Sequence, residues 1–149
     1  MKTPARRRVG LLLASLCLPL FAQAAETQPT HEFSLDNGLK VIVREDHRAP
    51  VVVSQLWYRI GSSYETPGLT GLSHALEHMM FKGSRKLGPG EASRVLRDLG
   101  AEENAFTTDD YTAYYQVLAR DRLPVALEME ADRMAHLSLP ADQFKSEIE

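Results

Sequence analysis

The 149-residue sequence predicts an α+β fold, a mostly antiparallel sheet with helices packed on one face. Three observations predict it. Several short stretches are β-branched or alternating and are joined by tight-turn signals. Elsewhere apolar residues recur every three or four positions, the period of a helix. The two kinds of segment mix without the regular strand-helix-strand alternation that a parallel sheet requires. With 44% hydrophobic and 25% charged residues, the chain has material for one core, and disorder, collagen-like repeats and a disulfide scaffold are excluded.

The first 24 residues read as a secretory signal peptide rather than as part of the fold. Lys2, Arg6, Arg7 and Arg8 form a positive start, residues 9 to 21 are apolar, and Ala22-Gln23-Ala24 supplies a small-x-small cleavage pattern. A bilayer span needs about 20 apolar residues, and this run is shorter and broken by Pro19. Leu16 ahead of Cys17 argues against a lipoprotein signal. The expected mature domain, 25–149, then has no cysteine and suits an oxidising, periplasmic or extracellular compartment. It keeps 13 basic against 20 acidic residues, a net of −7. That makes nucleic acid and anionic membranes poor partners.

The elements follow in order. Glu32-Phe33-Ser34-Leu35 and Leu39 to Val43 are strand-like, and Asp36-Asn37-Gly38 between them is a hairpin signal, because Asn-Gly accepts positive φ. Asp46 to Pro50 is a turn. Val51 to Ile60 is β-branched and aromatic and predicts a central strand. Gly61 to Gly71 is a loop. Helical periodicity starts near Thr70, with Leu72, Ala75, Leu76, Met79 and Met80 on one side, so that Leu72 is expected to pack. Gly83 to Gly90 breaks the chain, and Glu91 to Leu99 is a second helix stopped by Gly100. Ala101 to Thr107 and Tyr111 to Ala119 are strands joined at Asp109-Asp110. Arg120 to Leu137 is a long helix with Pro124 in its first turn. Another helix opens at Ala141 and is still running at Glu149, the pattern of a truncated domain.

The chemistry concentrates in His74-Ala75-Leu76-Glu77-His78. At 3.6 residues per turn the two histidines sit about 40° apart on one helical face, with Glu77 about 60° to the other side of His74. Two imidazoles one turn apart suit one zinc ion, and the carboxylate stands near enough to handle the proton of a water. His31, His47 and His136 are isolated and read as surface or boundary histidines, Asp109-Asp110 as a solvated turn, and the three charges within Lys82 to Lys86 as too few for a polyanion site.

The stretch Gly71 to Ser84 resembles the signature of the pitrilysin-type (M16) metallopeptidases, and the resemblance continues through Asn104 to Tyr115 and Leu127 to Met134. It implies an M16-like fold, His74 and His78 as Zn2+ ligands, and Glu77 as general base. It places the third ligand, a Glu on a later helix, a few residues beyond Glu149. Glu149 and Glu130 stand as in-chain substitutes, and Glu147 matches the family's auxiliary catalytic Glu one to two turns earlier. Asn104, Ala105 and Phe106 match its substrate-binding edge strand, which takes up an extended peptide through main-chain hydrogen bonds. The implied activity is a zinc-dependent endopeptidase, incomplete as this piece. Its implied partners are the remainder of the chain or a second M16-like subunit. A non-catalytic scaffold or chaperone-like subunit of the family, or a zinc-binding module without hydrolysis, are the competing readings.

Overall fold

The computed structural model describes residues 29 to 148, in two compact units divided between Asp46 and His47. The signal-peptide reading of residues 1 to 24, and Glu149 as a substitute ligand, lie outside the described residues.

The first unit is a hairpin. β1 (Thr30–Ser34) pairs antiparallel with β2 (Lys40–Arg44), Phe33 opposite Val41. The turn closes through Gly38 N–H to Leu35 O and Leu35 N–H to Leu39 O, each 2.9 Å, and the Asn37 amide oxygen accepts from Leu39 N–H. Gly38 sits at φ +85°, a conformation that a side chain resists, while Asn37 does not take positive φ, so of the predicted Asn-Gly pair only the glycine supplies it.

The second unit carries the rest. Its sheet holds β3 (Val51–Tyr58), β4 (Glu102–Thr107) and β5 (Thr112–Ala119) in the order β3-β5-β4, all antiparallel. The expectation that Val51 to Ile60 forms the central strand is corrected. β5 is central, because β3 and β4 both pair with it: Tyr114 lies between Leu56 and Ala105 in the register. β4 is an edge strand among the described residues.

Four helices complete the unit: α1 (Leu72–Met79), α2 (Glu91–Asp98), α3 (Leu123–His136) and α4 (Ala141–Ile148). The predicted helical start at Arg120 is a 3₁₀ turn, Arg120–Arg122, and the α-helix begins at Leu123, with Pro124 in the first turn where its missing N–H costs nothing. α1 and α2 lie against β4, α3 against β3 and β5, and α4 against α1. Between sheet and helices are buried Met79, Met80, Leu96, Tyr114, Leu118 and Ala126. Full burial of a methionine such as Met79 contributes about 1.5–3 kcal/mol. Leu72 and Leu76, expected to pack, are instead 48% and 41% exposed. The helix rolls its methionines inward and leaves these leucines at the rim of a small apolar pocket beside Tyr58 and Tyr114.

The 61–71 loop is tied down. Ser62 N–H reaches Thr108 O at 3.1 Å, Ser63 N–H reaches Asp109 O at 2.8 Å, and the Ser62 hydroxyl donates to the Asp109 carboxylate at 2.7 Å. A Cβ at Gly61 would collide with the backbone oxygens of Thr108 and Asp109, so only glycine admits this approach. The Asp109-Asp110 turn is exposed, as predicted, but it anchors a loop.

Candidate metal centre

α1 has eight residues and no capping side chain of its own; Gly71 occupies the cap position. The unsatisfied N–H groups of its first turn find a partner nearby. One Glu65 oxygen accepts from Gly71 N–H at 2.8 Å and the other from Ser73 N–H at 2.7 Å. Those two bonds, Ser73's first, hold the Glu65 carboxyl below the ordinary glutamate range. The start of the motif helix is thereby pinned one residue before His74.

His74 and His78 come together as the spacing predicts. Their Nε2 atoms are 3.2 Å apart, with the rings edge-to-face at 4.7 Å between centroids. Two nitrogens bound to one tetrahedral zinc at 2.0–2.1 Å stand about 3.3 Å apart. The separation in the structure therefore fits a shared zinc ion.

Glu147 completes the support of this pair. From α4 its Oε2 accepts from His78 Nδ1 at 2.6 Å, and its Oε1 pairs with Lys82 Nζ at 2.5 Å. The Lys82 bond first, then that of His78, holds the Glu147 carboxyl below its ordinary value. A carboxylate only accepts, so the proton of a neutral His78 ring sits on Nδ1 and the lone pair on Nε2, facing His74. The contact is of the carboxylate-histidine type that orients metal ligands. It also keeps Glu147 out of the ligand position, since the two ring nitrogens point away from each other.

Among the described residues no group of three or more His, Cys, Asp or Glu side chains gathers around a common point. Two candidate donors, the Nε2 atoms of His74 and His78, stand together. Glu130, considered as a substitute, is ruled out by its place: it is buried in an ion pair with Arg133. Two of the three charges within Lys82 to Lys86 are engaged in ion pairs, Lys82 with Glu147 and Lys86 with Glu128 at 2.6 Å. His136 sits 3.2 Å from Asp132, and His31 the same distance from Glu45.

Glu77 points into the interior, only 8% exposed, toward β4. The Thr107 hydroxyl donates to its Oε2 at 2.5 Å. Sequence reasoning passed over Thr107, Lys82 and Glu65 as site residues. Strand alternation sets Thr107 on the same face as Ala105 and Glu103, but nothing local pairs it with a residue 30 positions earlier.

Asn104 and Phe106 lie on the other face of β4 and are exposed, with Ala105 half-buried between them. The Asn104 amide oxygen accepts from Ala105 N–H at 2.9 Å. Phe106 meets Trp57 edge-on at 6.1 Å and Tyr111 at 6.0 Å, forming an aromatic ledge on the face away from the helices. The three predicted substrate residues are therefore on one edge strand, the strand that also faces Glu77.

Comparison with known proteins follows the same lines. The family model described as insulinase, peptidase family M16, matches residues 40–149. A zinc protease of Helicobacter pylori, PqqE, is 35% identical over 147 residues, covering 95% of this chain and 33% of that protein. Human cytochrome b-c1 complex subunit 1, mitochondrial, is 35% identical over 150 residues, covering 99% of this chain and 29% of that protein. The crystal structure of a protease from Helicobacter pylori superposes with a TM-score of 0.77 at 32% identity, over 80% of this chain and 29% of that one. The chain thus spans about a third of the length of the curated relatives it matches.

Proposed function

The chain belongs to the insulinase family of peptidases, M16, and from that premise we propose that it carries part of the catalytic centre of a zinc-dependent endopeptidase. The observation that carries the reading is the 3.2 Å approach of the two Nε2 atoms, with a buried glutamate on the same helical turn.

His74 and His78 would hold the ion, and a third ligand would come from elsewhere in the protein. Bound zinc supplies Lewis acidity toward a peptide carbonyl and a water. The remaining work falls to the chain's own side chains. Glu147, fixed by Lys82, keeps the Nδ1 proton on His78 and so keeps its Nε2 lone pair available. Glu77 takes the proton of the attacking water on a carboxylate oxygen and returns it to the leaving amine. The β4 edge, residues Asn104 to Phe106, receives an extended peptide through main-chain bonds, with the Asn104 side chain giving up Ala105 N–H to the substrate. The rest of the protein, or a second M16-like subunit, would enclose that peptide.

A second reading has its own support, because one group of relatives is named as a cytochrome b-c1 complex subunit. In it this chain is a non-catalytic scaffold of the same family. The presence of His74, Glu77 and His78 together favours the peptidase. Zinc titration of the full-length protein, which supplies the third ligand, followed by hydrolysis of an unstructured peptide, separates the two. The peptidase predicts zinc-dependent cleavage that a chelator abolishes and added zinc restores. Zinc uptake without any cleavage would leave the scaffold or a zinc-binding module.

A further inference from the structure

We propose that Thr107 is the positioning residue for Glu77, so that β4, the strand offered to a peptide, also aims the base. The inference rests on the peptidase reading for its consequence and on geometry for its substance.

The hydrogen inventory is closed. The Thr107 hydroxyl has one hydrogen, and Glu77 Oε2 lies 2.5 Å away. Thr112 Oγ1 lies 3.4 Å from Thr107 Oγ1, but its own hydrogen goes to Ile60 O at 3.0 Å. With both hydrogens assigned, the two hydroxyls do not bond to each other, and Thr107 donates to Glu77. This engages one lone pair of Oε2 and leaves Oε1 without a hydrogen-bond partner among the described residues, so Oε1 is the more open of the two oxygens to a proton.

Thr107 is itself held. It is β-branched, which restricts its rotamers, and it stands directly opposite Thr112, itself 4% exposed, in the β4-β5 register. Its neighbour Thr108 closes the following turn, with the hydroxyl donating to Tyr111 O at 3.0 Å. Glu77 has no arginine or lysine among its described partners, unlike Glu130, so a neutral donor fixes it without cancelling its charge. The next residues back along β4 are Phe106, Ala105 and Asn104. A peptide docked there and the base on α1 would both be referenced to one strand, β4, through Thr107; misplacement by about 1 Å costs on the order of 100-fold in rate.

The test compares Thr107→Val and Thr107→Ala, which lack the donor, with Thr107→Ser, which keeps it, after unchanged denaturation midpoints confirm folding. The first readout is the side-chain carboxyl 13C resonance of Glu77 in metal-free protein, assigned by its loss in Glu77→Gln. We expect it to move in the Val and Ala variants and to stay near its original position in Ser. The second is peptide hydrolysis by zinc-loaded protein, where removing such a support lowers activity by about 10–100-fold. The loss should fall on kcat with KM nearly unchanged, and Ser should restore most of it. A Glu77 resonance indifferent to Val and Ala overturns the proposal, as does a Ser variant no better than Val. If the full-length protein with Thr107 intact and zinc bound cleaves nothing, the peptidase reading fails, and the resonance alone still decides the Thr107–Glu77 contact.

Discussion

Two glutamates in the second unit, Glu77 and Glu130, are equally buried, each 8% exposed, and their surroundings could hardly differ more. Glu130 on α3 accepts from the Arg133 guanidinium and from the Gln116 amide. Arg133 in turn lies over the rings of Phe81 and Tyr114, at 5.3 and 4.9 Å from their centroids. Burial pushes the Tyr58 and Tyr114 hydroxyls up, so this ring layer stays neutral beneath the ion pair. Glu77 has one neutral hydroxyl, on one oxygen. A buried carboxylate that is paired and fully bonded locks packing, whereas one held by a single neutral donor keeps its charge and a lone pair for chemistry. The contrast sets Glu130, locked in packing, apart from Glu77, the base of the proposed reaction, without recourse to any motif.

The largest expected effect is on the Glu77 side. Glu77→Gln should lower zinc-dependent peptide hydrolysis by about 10²–10⁴-fold. Because the amide still offers Thr107 an acceptor, stability should change by less than about 1 kcal/mol. Equal losses of activity and stability, in parallel peptide-cleavage and urea-unfolding measurements, would erase the distinction.

Next comes Arg133→Met, which strands Glu130 as an unpaired buried charge and should cost about 3–5 kcal/mol in urea unfolding. Replacing both partners with apolar residues should recover much of that loss, because the desolvation penalty leaves with the pair. A single variant as stable as the parent would show that the pair is not closed off from water.

A third glutamate carries the comparison out to solvent and gives the smallest effect. Glu65 is half-buried at the surface and held below the ordinary 4.5 by the Ser73 and Gly71 N–H groups. Its folded pKa lies under its unfolded one. Its contribution is therefore complete above pH 4.5 and fades as the pH drops through the lower, folded value. Glu65→Gln should flatten the pH dependence of stability below 4.5 and lower stability slightly at neutral pH, where the carboxylate's contribution is complete. An identical acid limb in both proteins would mean that the α1 cap is not electrostatic.

Much of this was legible from local pattern. Asp36-Asn37-Gly38 gave a hairpin because its turn needs positive φ at Gly38. The i, i+4 spacing of His74 and His78 brought their nitrogens to one point because a helix has only one geometry. What failed had non-local causes. A β-branched run such as Val51 to Tyr58 suits a central or a flanking strand equally, and pairing chose the flank. Leu72 and Leu76 satisfied the helical period, yet the helix turned its methionines inward.

The sequence by itself determined which segments become helix or strand, the family, and the two imidazoles and carboxylate grouped on α1, because these depend on residues within a turn or two of one another. Only the tertiary structure decided that Glu147 braces His78 from 69 positions away, that Thr107 holds Glu77, and that Glu130 is paired rather than free. Hydrogen bonds between distant elements depend on strand order and on how the helices sit against the sheet, and those follow from packing the whole core, not from any local run of residues.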